Sequence, residues 1–531
     1  MAHEMQERRG EAQPTGPATP DSKPPPAVGL EEALGLTGYG KFHYKLLLGV
    51  WLGMATQNFV TTDMAYSLPA AQCDLGLTAM QKGWINAALF LGMMSTAFVW
   101  GALSDALGRK WLLALAYLSL AACGVVVALV TSPWALLLGR TVTGMLMIGP
   151  ATLCLTYAGE MVSGEHRSKM FMWAGTMQGL SAALHAALAM WIIPLELRWS
   201  WLPPWRVFML ASPLAAACNG LYMLLLPESP KYLAAQGRRG EAIAVLSAIY
   251  AANTGLPASA YPVRALTLSE HTQPEPGNPF EVMARQFARL VRRPYRTPLL
   301  FAVAIQPLVL FCTNTIRMWV PQIFAQMELE ALGGGHTAPR DVCRILEEQR
   351  PPGPTPVDDC STFRIDPSVY LNSILMMLSR AGIQLLASLV IRPVGQKTVL
   401  VASTCVAGGL LVAWPSATSA LTVLGLACVF EGMAHTANIT ILNILVDLFP
   451  TGVRSSAASL AHFSGRAGSV LGNIVFPLLF TRDCASAFYI AAAMVFGETA
   501  RRALLIVRRG LILGLSPQDC GKHQSTTDSR N

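Results

Sequence analysis

Apolar runs of spanning length, divided by short polar connections, follow one another along most of the 531 residues. At 1.5 Å rise per residue, about 20 mostly apolar residues cross the roughly 30 Å hydrocarbon layer of a bilayer. The pattern predicts twelve such helices, near 46–66, 82–103, 111–131, 134–159, 169–193, 206–226, 298–318, 368–391, 397–414, 417–438, 456–480 and 484–507. Residues 1–45 carry Pro24-Pro25-Pro26 and no apolar core, so they read as a disordered cytosolic tail and not as a signal peptide. The polar stretch 231–297 reads as a linker, its Asn278-Pro279 and Arg293-Pro294 steps breaking short helices. A shorter polar stretch, 321–366, reads as an outer loop, and 508–531 as a second tail.

Composition agrees with this reading, because the chain is 53% hydrophobic and only 13% charged, about half the charge of an ordinary soluble protein. The net charge of +8 reports orientation and not a nucleic-acid partner. Arg109, Lys110, Arg167, Lys169, the cations of 231–296, Arg392, Lys397, Arg454 and Arg501 fall on one side when twelve spans are drawn. Cation-rich loops stay in the cytosol, so both termini are expected there.

A second regularity is internal. A shift of 287 residues carries Gly108 and Lys110 onto Gly395 and Lys397, and Glu160, Arg167 and Ser168 onto Asp447, Arg454 and Ser455. The chain therefore divides into halves at 46–230 and 298–507. Halves related in this way place substrate at their interface near mid-depth and rock about it.

Between the second and third spans lies Gly101-Ala-Leu-Ser-Asp105-Ala-Leu-Gly108-Arg109-Lys110. It resembles the signature loop of the major facilitator superfamily, with every fixed position of that pattern met. Pro227-Glu228-Ser229-Pro230-Lys231-Tyr232-Leu233 is similar to the loop after the sixth span in sugar porters and organic-ion transporters. Leu91-Gly92-Met93-Met94, Trp191-Ile192-Ile193-Pro194, Trp205-Arg206-Val207-Phe208 and Met318-Trp319-Val320-Pro321 resemble the synaptic vesicle glycoprotein 2 family. The resemblance implies an all-α membrane protein of major facilitator fold, with two pseudo-symmetric six-helix halves working by alternating access. It also implies gating roles for Asp105, Gly108 and Arg109, and inner-gate ion pairs from Glu160 with Arg167 and from Asp447 with Arg454. Arg140, near Gly144 and Gly149, joins this set as a guanidinium in the apolar zone where small residues let helices approach. The alternative for all of them is anchoring of topology. The chain departs from the family at the outer loop, which replaces a large lumenal domain. It departs again at Gln57, Val60 and Asn443, where coupling acids are expected, and at Arg392, where repetition of Asp105 would give a carboxylate.

Ionisable residues at mid-depth are the candidates for a substrate path, because such groups are costly in lipid unless paired or wetted. Arg380 and Arg466 each lie twelve residues from a cytosolic arginine, roughly 18 Å in at helical rise. His435 sits at a similar depth, with Glu431 one turn further out. Guanidinium groups at this level suit a carboxylate-bearing organic solute, held by bidentate hydrogen bonds. The competing reading has Glu431 neutralising one arginine in a structural cluster. His435 is a candidate for a coupling proton or a packed, hydrogen-bonded ring. Gln57, Asp63 and His185 either line the cavity from the other half or belong to its core or rim. Trp191 either stacks on substrate or anchors a span end, and Arg317 is expected to snorkel to the interface beside Trp319.

Of eleven cysteines, none shows Cys-x-x-Cys spacing, and Cys343 with Cys360 in the outer loop is the expected disulfide. No nucleotide-binding or triad motif is present, so neither an enzyme nor a cofactor is expected. Two function classes stay open: a secondary transporter of a small organic solute, with organic anions favoured, and a transporter-like receptor or trafficking protein that no longer transports.

Overall fold

The computed structural model describes residues 28–195, 202–267, 279–292, 295–333, 341–344, 366–449 and 451–497. A short strand, β1 (Val28–Gly29), leads into helices α1 (Leu30–Leu36), α2 (Lys41–Leu75), α3 (Ala79–Thr96), α4 (Val99–Leu107), α5 (Arg109–Leu129), α6 (Pro133–Glu160) and α7 (Gly164–Ile192). Then come α8 (Pro204–Met209), α9 (Ala211–Leu225), α10 (Pro230–Ala235), α11 (Arg239–Thr254), β2 (Leu266–Thr267) and α12 (Pro279–Val291). The second half holds α13 (Arg296–Gly333), α14 (Pro367–Val394), α15 (Gln396–Ala413), α16 (Ala420–Leu448) and α17 (Thr451–Arg482). The last described helix is α18 (Cys484–Gly497). Among the described residues a helix occupies each of the twelve predicted positions, the last followed as far as Gly497, with α3 and α4 serving as one and likewise α8 and α9, and eight helices are long and apolar enough to cross a membrane.

Helix starts follow local chemistry. Pro133 and Pro367 open α6 and α14, where their missing N–H costs nothing. Thr78 and Gln81 form a reciprocal capping box at the start of α3, and the Ser419 hydroxyl caps α16 through Thr422 N. The internal repeat reappears as geometry. Arg109 and Gln396, Pro133 and Ala420, and Gly164 and Thr451 each begin helices 287 residues apart. Gly108 and Gly395, at the same offset, precede them with φ of +93° and +87°, a conformation that favours glycine.

Three expectations need correction. The signature stretch is not a loop: α4 runs through it, and a single residue, Gly108, turns the chain into α5. The seventh span does not end near 318, because Val320, Ile323, Phe324 and Met327 are buried and extend α13 to Gly333, well into the expected outer loop. Residues 28–45 are not a disordered tail. There β1 pairs with β2 in parallel, and Leu30, Ala33 and Leu34 pack with Leu233, Leu246, Tyr261 and Leu266 of the linker. Residues 1–27 lie outside the described residues.

The halves meet where α2, α3 and α7 pack against α13, α14 and α17. One apolar cluster crosses that seam, with Ala65, Ala182 and Ala183 lying among Trp319, Met376 and Met377. Within the first half α3 and α6 pack backbone to backbone. A Cβ on Gly92 would strike the Thr141 carbonyl, and one on Gly144 the Leu89 carbonyl. Gly149 fits against the Trp100 ring.

Candidate functional site at the seam between the halves

Four helices of the second half send charged side chains toward the seam. Glu431 and His435 are one turn apart on α16 and share a face. Arg317 of α13 bonds Glu431 Oε1 through Nε at 2.7 Å, and Arg380 of α14 reaches the same oxygen through Nη1 at 3.5 Å. Arg380 Nη2 lies 3.4 Å from His435 Nε2 and 3.5 Å from Gln178 Oε1, the latter on α7 of the first half. An imidazole nitrogen that accepts from a guanidinium carries no proton, so His435 is neutral at Nε2. Arg466 of α17 points its guanidinium at the Phe90 ring of α3, 5.7 Å from the centroid. Among the described residues its Nε has no hydrogen-bond partner, and neither has Glu431 Oε2.

The arithmetic of charge is the main result of this geometry. Arg317 and Arg380 share the one carboxylate of Glu431, with Arg380 and Glu431 3% and 1% exposed, while Arg466 makes no ion pair among the described residues. Arg317 takes the short contact, so the expectation that it snorkels beside Trp319 is wrong; a buried acid within reach holds it inward. Glu431 balances one of the two arginines it touches, and Arg466 has no acid partner among the described residues.

Other expected site residues lie elsewhere. Asp63, one turn beyond Val60 and nearly two beyond Gln57, forms a buried ion pair with Arg140 at 2.9 Å and accepts Met64 N at 2.7 Å, while Arg140 Nη2 bonds the Val60 carbonyl. Arg140 is thus a first-half core cation bound to a first-half acid. His185 is fully buried, stacked between Phe59 and Phe208, with Thr62 Oγ1 2.8 Å from Nδ1. Gln57 is half-buried and its carbonyl accepts from Thr61. Asn443 is exposed on α16, and Trp191 is 70% exposed at the end of α7, a position that suits an interface anchor and not a substrate platform.

At the linker end of the first half, Glu228 accepts from Arg109 N at 3.0 Å and Lys110 N at 3.1 Å. Its charge satisfies the free N–H groups of α5 and complements the helix dipole. Arg109 Nη1 bonds the Ser104 carbonyl at 2.7 Å, its Nε lies 3.4 Å from Glu160 Oε2, and its guanidinium covers the Tyr232 ring. The Ser229 hydroxyl also donates to Glu160. Glu160 and Arg167 therefore do not pair with each other. Arg167 bonds Glu31 of α1 at 2.8 Å and the Gly159 carbonyl at 2.9 Å, because α7 turns it toward the folded segment ahead of α2. The side chains of Asp105, Asp447 and Arg454 lie outside the described residues.

On the opposite face the halves touch closely. Tyr66 meets Tyr370 edge to face, and α3 comes so near α17 that a Cβ on Gly83 would lie 2.5 Å from the Asn473 carbonyl. The expected Cys343–Cys360 bridge is corrected to Cys343–Cys484. Val342, buried and bonded to the Ala417 carbonyl at 2.9 Å, draws Cys343 toward the start of α18; Cys360 lies outside the described residues. Sequence reasoning missed Gln178, Phe90 and Glu228 as partners, and of these only Glu228, inside the Pro-Glu-Ser-Pro run, carried a legible signal.

Comparison with known proteins supports the same architecture. Synaptic vesicle glycoprotein 2B of Rattus norvegicus is 26% identical over 45% of this chain and 35% of that protein, and synaptic vesicle glycoprotein 2A of Bos taurus is 27% identical over 44% and 32%. The match spans about a third of the length of these relatives. The xylose transporter XylE from E. coli, in a partially occluded inward-open conformation, aligns over 87% of this chain and 98% of its own at 15% identity, with a TM-score of 0.62. The nucleoside transporter NupG aligns over 87% and 98% at 14% identity, with a TM-score of 0.57. At such identities these likenesses speak to fold alone. The family described as "Sugar (and other) transporter" matches residues 41–332. This chain is an integral membrane protein that belongs to that transporter family, within the major facilitator superfamily.

Proposed function

We propose that the protein is a secondary transporter of a small organic anion, working by alternating access about the seam between its halves. The observation that carries this reading is the excess of cations at the seam: Arg317 and Arg380 share the carboxylate of Glu431, and Arg466 has no acid partner among the described residues. Buried cations without counter-ions are costly, and a bound carboxylate would supply the missing charge with bidentate hydrogen bonds. Gln178 and Phe90 come from the other half, so an anion held by Arg380 and Arg466 would touch both moving parts. The linker face is the cytosolic one on this reading, because the cation-rich connections lie there.

The coupling ion is a proton and its carrier is Asp63. Its carboxylate is buried against Arg140 alone among the described cations. Protonation would release that guanidinium and change how α2 sits on α6. The solved structures that share this fold include one named a D-xylose-proton symporter.

Uptake into proteoliposomes tests both parts. Radiolabelled lactate, succinate, benzoate, glucose and tetraethylammonium are supplied with and without an inward proton gradient. The expected result is uptake of one or more of the three anions, stimulated by the gradient, with glucose and tetraethylammonium excluded. Stimulation disappears in Asp63→Asn. Uptake of glucose or tetraethylammonium in preference to every anion contradicts the substrate assignment.

A further inference from the structure

Lys82 is a buried cation that the central site does not use. It stands in the first turn of α3 on the face opposite the linker and is 5% exposed. Its ammonium is held by two neutral oxygens, Gln72 Oε1 at 2.6 Å and Gln322 Oε1 at 3.2 Å. Gln72 belongs to α2 of its own half, whereas Gln322 belongs to α13 of the other. Asp74, in the same region, is engaged by the Trp205 indole at 2.6 Å. Lys82 makes no ion pair among the described residues.

A small cavity lies beside this ammonium, between the halves, and Asn86, Trp319 and Gln322 also line it. Trp319 and Asn86 are each 4% exposed; the indole N–H of the first and the amide oxygen of the second have no partner among the described residues. Two donor-bearing residues, one of them charged, thus line one cavity, and an amide stands beside them that can present either of its ends. If closing the seam were the only task, a neutral side chain would perform it without the desolvation of a charge. What lysine adds is attraction for an oxyanion.

We infer that Lys82 and Trp319 form an entry station for the transported organic anion, and that the Gln322 amide occupies the ammonium when the station is empty and closed. This rests on the proposed anion transport. Parting of the halves on this face withdraws Gln322 and frees Lys82 and the indole N–H for an incoming carboxylate. While the anion stays there, Gln322 cannot return. Its passage inward to Arg380 and Arg466 vacates the ammonium and lets the face shut.

The test is a sided one. Proteoliposomes of defined orientation are used to measure KM from each face for whichever of lactate, succinate and benzoate the wild type carries. Lys82→Gln is expected to raise KM from the face opposite the linker by about tenfold, the scale of one charged hydrogen bond, with KM from the linker face unchanged. Lys82→Arg restores it. Trp319→Phe, which keeps the ring and removes the donor, gives the same one-sided rise and decides the matter if Lys82→Gln does not fold. An equal change on both faces, or none on either, overturns the station while leaving anion transport standing. A wild type that carries none of the three anions overturns both.

Discussion

Arg466 and Glu431 both belong to the second half but predict opposite consequences when altered. Glu431 holds Arg317 and Arg380, so Glu431→Gln strips two buried guanidinium groups of their only acid among the described residues. Breaking a buried pair in this way costs about 3–5 kcal/mol, and thermal unfolding in detergent should show a large loss of stability. Arg466 leaves no carboxylate behind when it goes, so Arg466→Gln should be neutral or stabilising in the same assay. A severe loss for Arg466→Gln would make it a structural residue. These residues were partly legible beforehand: charge inside an apolar run is visible in any sequence, and Arg380, Arg466, Glu431 and His435 were found that way. Their pairing was not, because pairing depends on helix rotation. Arg317 lies only two residues from Trp319 and reads as an interface residue until α13 turns it onto α16.

At the scale of elements, the least legible part was the segment ahead of the first span. Polar and proline-rich composition gave no hint that β1 and α1 would dock on the linker, since their partners lie more than 200 residues away. Asn253 of α11 ties the junction, accepting from Phe42 N at 3.0 Å and donating to the Thr37 and Gly38 carbonyls. His43, three residues ahead of the span predicted at 46–66, joins it through Nδ1, which accepts from Gly40 N at 3.4 Å and lies 3.3 Å from Asn253 Nδ2. Burial, foremost, and the nearby His166 hold this imidazole below its ordinary value, although hydrogen bonds with Met161 and Asn253 oppose them. A depressed histidine contributes stability that is present above its unfolded value, about 6.5, and is lost as pH falls through the folded one. The docked segment should therefore loosen in mild acid. Hydrogen-exchange protection over residues 28–43, corrected for the pH dependence of the intrinsic rate, should be lower at about pH 5.5 than at about pH 7.5, and His43→Gln should abolish the difference. A segment equally protected at both values would show that His43 does not hold it. The spanning helices, by contrast, were readable because a bilayer demands one length and one chemistry of all of them. The Cys343–Cys484 bridge was not, because it joins two elements 141 residues apart in sequence.

For the molecule as a whole, the repeat of 287 residues survives as matching helix starts and matching glycine turns. The halves are therefore alike in construction but not in charge: the first neutralises its buried Asp63 within itself, whereas in the second Glu431 is shared by two arginines. They are closed against each other on the face opposite the linker, where Gly83 allows the closest approach. Gly83→Val should pry that face apart. Labelling of a cysteine introduced at Gln322 by a membrane-impermeant maleimide should then speed up several-fold. An unchanged labelling rate would mean that the contact does not control this face. The most direct trial of the central claim is anion uptake by Arg466→Gln protein of undiminished thermal stability, reconstituted beside the wild type. A cationic site between the halves predicts that uptake falls at least about tenfold, the cost of one charged hydrogen bond; uptake equal to the wild type would contradict it.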